Sequence, residues 1–364
     1  MAGVDGSAVA WGQTAAGHCP ELSALRNTEQ DASGALSKCI TESSGSVQLG
    51  PGIYTIAKEV IVSKEISIST LGITRDSGPC GSGGRTCATL FRSPEFVGTH
   101  PPATPGGNAS VGGGALLRLT GAKASLHHLV VNGVKSLLTT PPRNDSLIVI
   151  SECQDCSVDA LAFKDGSGRA ALSIERSKNV SVKASLFNGN GSSTALTSGI
   201  EVRSSSNVDI LKNFFKNRSK FDINVVSCFD CEVARNVMWH TTSSRITAAR
   251  ALRVGNASVF AHDNVADCDS FGCTTAFVFG STTNTAKQGE KDSSIAVFNK
   301  VASHSLNGFQ FGLRSKIELV NNYTLGNTGL LKCPTTNTYR FAKLPGATIT
   351  QNGASPKLAD IVEA

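Results

Sequence analysis

The sequence predicts an all-β solenoid, a parallel β-helix built of stacked coils. Two observations point there. Three successive segments between Ser198 and Val265 repeat one pattern: a short apolar-alternating strand, a turn, a second strand, then Asn followed by apolar residues. Composition agrees, because only 17% of the 364 residues are charged and 6% aromatic, while Gly, Ser, Thr, Ala and Asn dominate. That mixture suits short strands and turns better than helices.

The first repeat holds Gly199 to Arg203, Asn207 to Ile210 and Asn213 to Phe215. The second holds Phe221 to Val225, Asp230 to Val233 and Asn236 to Met238, and the third Leu252 to Val254, Ser258 to Ala261 and Asn264-Val265. A unit of this size cannot bury its own apolar face, so neighbours stack and share one core. Asn213 to Asn236 is 23 residues and Asn236 to Asn264 is 28, so the variable length belongs in loops. Equivalent residues then form columns about 4.8 Å apart along the axis. Asn213, Asn236, Asn264 and Asn322 read as structural residues whose amides bond the backbone at the bends.

In chain order, residues 1–30 lack periodicity and read as an irregular leader. Met1 to Gly17 has neither a basic start nor an apolar core, so no signal peptide is expected there. From Asp31, a capping residue followed by apolar positions at helical spacing predicts a short helix that covers the open N-terminal end of the stack. Strands follow at Ser46 to Leu49, Ile53 to Ile56, Glu59 to Val62 and Ile66 to Ile68.

The Asp-led helix, a strand, Pro51-Gly52, Ile53-Tyr54-Thr55 and a further strand pair resemble the opening of right-handed β-helix proteins of the pectate lyase-like superfamily. The resemblance extends more weakly to about residue 327. It implies a right-handed parallel β-helix over 31–327, with 328–364 as a C-terminal tail packing on or capping the solenoid. It specifies fold rather than activity, since that fold hosts lyases, hydrolases, epimerases and non-catalytic adhesins.

Residues 78–114 are rich in Gly and Pro around one strand, Ala88 to Phe91, and read as a surface excursion. Coils resume at Leu116 to Leu119, His127 to Gly133, Leu147 to Ile150, Ala171 to Glu175 and Val180 to Val182. After the central repeats come Ala276 to Phe279 with Ile295 to Phe298, then Phe309 to Gly312 with Ile317 to Leu319. Beyond Gly326 the pattern fades.

The net charge of +6 favours an anionic partner. No Lys/Arg run or basic-aromatic interleaving occurs, so nucleic acid is not expected, and no apolar stretch approaches 18 residues, so no membrane span is expected. The eleven cysteines point outward from the cell. Cys80/Cys87 and Cys268/Cys273 bracket Gly-containing loops, which suits disulfides in a secreted protein, with Cys333 as the candidate odd one out. Cys153/Cys156 and Cys228/Cys231 suggest zinc by spacing. They occupy the same bend three coils apart, though, roughly 14 Å at the parallel-strand repeat, too far for one tetrahedral site. Separate disulfides or small buried thiols are expected instead.

Side chains alternate along a strand, so residues between apolar positions face outward. With Ile200, Ile223, Leu252 and Phe309 in register, the outward column reads Glu201, Asn224, Arg253 and Gln310, with Ser173 upstream beside Leu172. A neighbouring column of Ala171, Gly199, Asp222, Ala251 and Gly308 puts Asp222 outward between small residues, with room for a ligand. Lys220, Asp222 and Asn224 share one strand face, and Glu201 and Arg203 the next. Loops at 134–145, 191–197 and 241–249 would wall this face into a groove suited to an extended saccharide, which is where the resemblance implies a site.

Asp222, Arg253, Glu201 and Lys220 are therefore the catalytic candidates, and Arg203, Asn224, Gln310, Ser173 and Glu175 the substrate-binding ones. Elimination on a uronate needs a cation beside the sugar carboxylate and a base for the adjacent proton; Arg253, Lys220 and Arg203 fit the first. Hydrolysis needs two carboxylates about 5–5.5 Å apart for retention or 6.5–9.5 Å for inversion, a pair that Glu201 and Asp222 could form. The polygalacturonase and alginate epimerase patterns are absent. Ala251 to Asn256 followed by Ala261 to Val265 is similar to the arginine-bearing coil of alginate lyases of this fold. Against any one of these residues stands the plain alternative of a solvated face, where cross-strand charge pairs contribute a few tenths to about 1 kcal/mol. His127, His128, His240 and His262 are scattered and read as turn or surface histidines.

The expectation is a secreted enzyme acting on an acidic, uronate-containing polysaccharide by β-elimination. A glycoside hydrolase using Glu201 and Asp222 is second, and a non-catalytic carbohydrate-binding or surface protein third. No cofactor is expected, with calcium left as an open alternative, and no metal-ligating residues are assigned.

Overall fold

The structure, a computed structural model, describes residues 19–74, 77–80, 86–97, 114–133, 145–166, 168–189, 198–216, 220–240, 250–255, 257–268 and 275–279, with Asn299 and the strands between 292 and 363. Every strand pairing in it is parallel, and each coil stacks on the one before, giving an all-β solenoid-like fold.

Each coil contributes to three walls. The first wall runs through Ser146–Gln154, Ala170–Glu175, Ser198–Leu211, Phe221–Phe229 and Arg250–Gly255. The second runs through Lys178–Lys183, Cys231–Ala234 and Ser258–His262, and the long strand Ser198–Leu211 crosses from the first into it. The two therefore form one 21-stranded sheet, and the third wall is a separate 10-stranded sheet carrying Leu186–Asn188, Phe214–Lys216 and Val237–His240.

The core is a set of columns along the axis. Leu172, Ile200, Ile223 and Leu252 are register partners on the first wall, and all are fully buried. Across the interior, Phe163, Phe187 and Phe215 stack ring on ring with centroids 4.6 and 4.7 Å apart. Such stacking adds to the burial energy of each ring by about 0.5–1.5 kcal/mol.

The bend from second to third wall is tight because one residue adopts a left-handed backbone and an amide follows it. Lys212, Arg235 and Asp263 have φ of 57°, 56° and 54°. Each precedes a buried Asn, and the amides form a ladder. Asn213 Nδ2 donates to Asn236 Oδ1 at 3.1 Å, Asn236 Nδ2 to Asn264 Oδ1 at 3.0 Å, and Asn264 Nδ2 to Asn299 Oδ1 at 2.9 Å. The same acceptors take the backbone N–H of the preceding rung, so amides that would be orphaned in the core are satisfied. The rung after Asn264 is Asn299, whereas Asn322 lies outside the described residues.

At the N-terminal end, α1 (Pro20–Ala24) and α2 (Ser33–Glu42) lie on the stack, and Leu36, Cys39 and Ile40 of α2 join the core. The expected leader thus contains a short helix, tied to α2 by a Cys19–Cys39 disulfide that spacing did not reveal. Asp31 stands just before the N-cap Ala32. Its carboxylate accepts from Ser33 N at 2.9 Å and Ala57 N at 3.0 Å, stitching α2 to the strand Gly52–Lys58.

Cys80–Cys87, Cys153–Cys156 and Cys228–Cys231 are disulfides. The side chains of Cys268, Cys273 and Cys333 lie outside the described residues. Although the apolar pattern fades after Gly326, parallel pairing continues, with Leu331 beside Phe309 and Tyr339 beside Ile317.

Candidate functional site

The outward side of the first wall carries the polar residues singled out above. Register puts Ser173 beside Glu201, Glu201 beside Asn224 and Asn224 beside Arg253. The column continues through Val278 to Gln310. One step along the strands, Glu175 pairs with Arg203 and Arg203 with Val226. Ser173, Glu175, Arg203, Glu201, Asn224 and Arg253 are thereby brought together.

A carboxylate pair forms the floor. Arg169 donates from Nη1 to Glu175 Oε1 at 2.7 Å and from Nε to Glu201 Oε2 at 2.5 Å. Arg203 reaches the other oxygen of Glu201 from Nη2 at 2.6 Å and Nε at 2.9 Å, and Asn224 Nδ2 approaches it at 3.2 Å. Ser173 Oγ donates to Glu175 Oε1 at 3.0 Å. Glu175 and Glu201 are buried, so these charge-assisted bonds replace the water they lose. Both oxygens of Glu201 are engaged, which marks it as an organiser of arginines.

The wall does not follow strict alternation at the start of its strands. Leu116, Leu147, Ala171, Ala251 and Ala276 lie in the core together with their successors Leu117, Ile148, Leu172, Leu252 and Phe277. Two consecutive residues therefore turn inward, and the residue before them turns out. Gly199 and Asp222 occupy this inner column. A Cβ on Gly199 would come 2.9 Å from the Phe215 ring and 2.6 Å from the Asp222 carbonyl, so only glycine fits.

This corrects the expected position of Asp222. Its side chain is fully buried and faces the interior, where Oδ2 meets His240 Nε2 at 2.6 Å. The small neighbours that seemed to leave ligand space instead leave room for the core. His240 is corrected with it, from a turn or surface residue to a buried one. Burial opposes its charge, but Asp222 outweighs that by Coulomb attraction and hydrogen bonding, raising the His240 pKa above 6.5. Glu201 and Asp222 lie on opposite sides of the wall and do not form a catalytic pair.

Shifting Asp222 inward shifts Phe221 outward. Phe221 is 3% exposed yet stands apart from the core cluster, because cations cover it. Lys220 Nζ lies 5.5 Å from its ring centroid, and the guanidinium carbons of Arg250 and Arg253 lie at 5.7 and 5.6 Å. Sequence reasoning missed Arg250 because alternation from Leu252 assigns it inward. The paired apolar residues that open each strand were the available signal. Among the described residues of these coils, Arg169, Arg203, Arg250, Arg253 and Lys220 lie on this side of the wall with the carboxylates Glu175 and Glu201.

The loops 134–145, 191–197 and 241–249 expected to wall the groove lie, apart from Asp145, outside the described residues. Among the described residues no group of three or more His, Cys, Asp or Glu side chains is arranged to hold a metal, and no helix is long and apolar enough to cross a membrane.

No family model and no curated protein matches the chain. Among solved structures, it is similar to an alginate lyase from Paenibacillus sp. str. FPU-7, with a TM-score of 0.58 at 12% identity over 82% of this chain and 95% of that one. It is similar to the surface protein and adhesin PfbA of Streptococcus pneumoniae, with a TM-score of 0.53 at 11% identity over 86% and 99%. A tailspike mutant of E. coli bacteriophage HK620, solved in complex with a pentasaccharide, matches with a TM-score of 0.55 at 11% identity over 89% of this chain and 61% of the tailspike. At these identities the likeness is one of fold.

Proposed function

We propose that the chain is a secreted, right-handed parallel β-helix protein that acts on an acidic, uronate-containing polysaccharide along its first wall, by β-elimination. The observation that carries this reading is the charge of that wall, where among the described residues five basic side chains lie beside two carboxylates, Glu201 being bonded through both of its oxygens. Surplus fixed charge beside a surface attracts polyanions, and arginine favours planar oxyanions. The four disulfides among the described residues support an oxidising compartment. Solved structures of similar fold include an alginate lyase, a surface adhesin and a tailspike with bound pentasaccharide, which supports a carbohydrate ligand.

Of the two cleavage chemistries, elimination keeps its groups on one face. Arg253 and Arg203 offset the uronate carboxylate, which acidifies the neighbouring C–H. Lys220, the exposed amine on that face, takes the proton in its neutral form, the C–H electron pair forms the C=C bond as the C–O bond breaks, and the departing glycosidic oxygen takes a proton from water. Hydrolysis needs two carboxylates free to act on the sugar, whereas Asp222, first assigned as the partner of Glu201, faces the core, and Glu175 and Glu201 are both tied to Arg169.

A second reading is recognition without cleavage. The bonding of both Glu201 oxygens favours it, since that carboxylate is occupied with holding arginines.

Incubation with alginate, pectate and a neutral glucan separates these readings. Unsaturated ends, read by ultraviolet absorbance, mark elimination. New reducing ends without that absorbance mark hydrolysis and reject the elimination. Salt-sensitive binding with neither product supports recognition alone, and equal binding of the neutral glucan rejects the acidic substrate class.

A further inference from the structure

Arg250 and Arg253 are three positions apart in one strand, yet both emerge outward because Ala251 and Leu252 between them belong to the core. Their guanidinium groups converge on one ring, that of Phe221, with Lys220 as a third cation. The ring face attracts each cation, but it carries no net charge and cannot cancel their mutual repulsion. Glu201 is the carboxylate that acts on Arg253, and its oxygens are already committed to Arg169, Arg203 and Asn224.

Two further observations say that something is missing from this cluster. The Nε atoms of both Arg250 and Arg253 are buried with no hydrogen-bond partner. A guanidinium is a fork of donors, and a buried donor without an acceptor is unfavourable. Burial lowers the pKa of both residues, and the nearby Arg250 and Arg203 lower that of Arg253 further. Cations packed together without an anion behave this way.

The geometry points to an oxyanion clamp in which Arg250 and Arg253 hold one carboxylate or sulfate group of an acidic glycan between them, with the sugar against Phe221. This rests on the reading of the wall as a polysaccharide site and adds the group that anchors the ligand. An oxyanion supplies the two acceptors and the negative charge that the cluster lacks, and planar bidentate pairing is what distinguishes arginine from lysine here. Arg203, 37% exposed at its side chain and bonded to Glu201, extends the cationic surface by one coil. Arg250 thereby becomes a binding residue.

Calorimetric titration of the full chain with alginate (carboxylate only), carrageenan (sulfate only) and pullulan (neutral) tests the clamp. The expected result is binding of one anionic polymer with no response to pullulan, weakened at least tenfold by Arg250→Gln and by Arg253→Gln. The polymer that responds identifies the oxyanion. Arg250→Lys keeps the charge and loses the fork, so an intermediate loss supports the clamp and guards against a merely misfolded Gln variant, with circular dichroism as the folding check. Lys178→Ala, on an exposed position of the second wall, should bind as the parent does. Affinities of Arg250→Gln and Arg253→Gln within twofold of the parent, or a pullulan response equal to the anionic ones, overturn the clamp. If binding depends on Arg250 but no unsaturated product forms, the clamp stands and the elimination falls. Elimination with kcat and KM unchanged in Arg250→Gln has the opposite meaning.

Discussion

His240 Nε2 lies 2.6 Å from Asp222 Oδ2 inside the coil stack, joining the start of a first-wall strand to the end of a third-wall strand through a buried pair. The raised pKa of His240 makes this pair a stabiliser that depends on pH. Its contribution is fully present below 6.5, where the imidazole is protonated in both folded and unfolded chains. It is lost as pH rises through the raised value of the folded state. Denaturation midpoints of the parent chain should therefore fall across that rise relative to a His240→Gln variant, whose own profile should be flatter. Parallel profiles would mean that the pair does not titrate. Asp222→Asn should cost about 3–5 kcal/mol at pH 6, the range for removing one partner of a buried ion pair.

The amide ladder gives a second expectation. Asn236 accepts from the backbone and side chain of Asn213 and donates to Ile210 O and Asn264 Oδ1. Asn236→Ala strands the Asn213 N–H in the core, at about 1–3 kcal/mol for each buried polar group left unpaired. Hydrogen exchange should show the loss first at the Asn213 amide and then at neighbouring rungs. Unchanged protection at Asn213 would mean that water replaces the amide.

Much of this architecture was legible in the sequence. Ile200, Ile223 and Leu252 keep a two-residue period with their neighbours, so Glu201, Asn224 and Arg253 could be set side by side from the pattern alone, and the register agrees. Asp222 and Arg250 were not legible in the same way, because the strand opens with two inward residues and the period slips there. The slip is written in the Ala-Leu, Leu-Ile and Ala-Phe pairs of successive coils. Gly199 and Asp222 interrupt that apolar column and hid it. Arg169, which bonds both buried glutamates, precedes its strand and carries no periodic signal at all.

Gly199 supplies a third test, one that probes the inward column directly. Gly199→Ala forces a methyl toward the Phe215 ring and the backbone oxygen of Asp222 at distances no ordinary Cβ tolerates. The strand must move, and overpacking of this kind costs about 1–3 kcal/mol. A thermal midpoint equal to the parent's would mean that residue 199 faces outward after all, and Asp222 with it.

Arg169 ties the two halves of the floor together, and its loss is the most telling change that leaves the clamp residues untouched. In Arg169→Met the methionine fills the space of the stem, but Glu175 loses its ion-pair partner, and Glu201 keeps only Arg203 and Asn224 on its other oxygen. A buried carboxylate left without its cation destabilises by about 3–5 kcal/mol, so the midpoint should fall sharply. The freed carboxylates also change what the wall offers a ligand, because fewer cations then face the same two negative charges. Affinity for an anionic glycan should drop and its salt dependence should flatten, since fewer fixed cations attract the polyanion. Adding Glu175→Gln to Arg169→Met should recover part of the stability by removing the charge that lost its partner. Failure of the second change to recover any stability would mean that Glu175 is held by something other than the Arg169 pair.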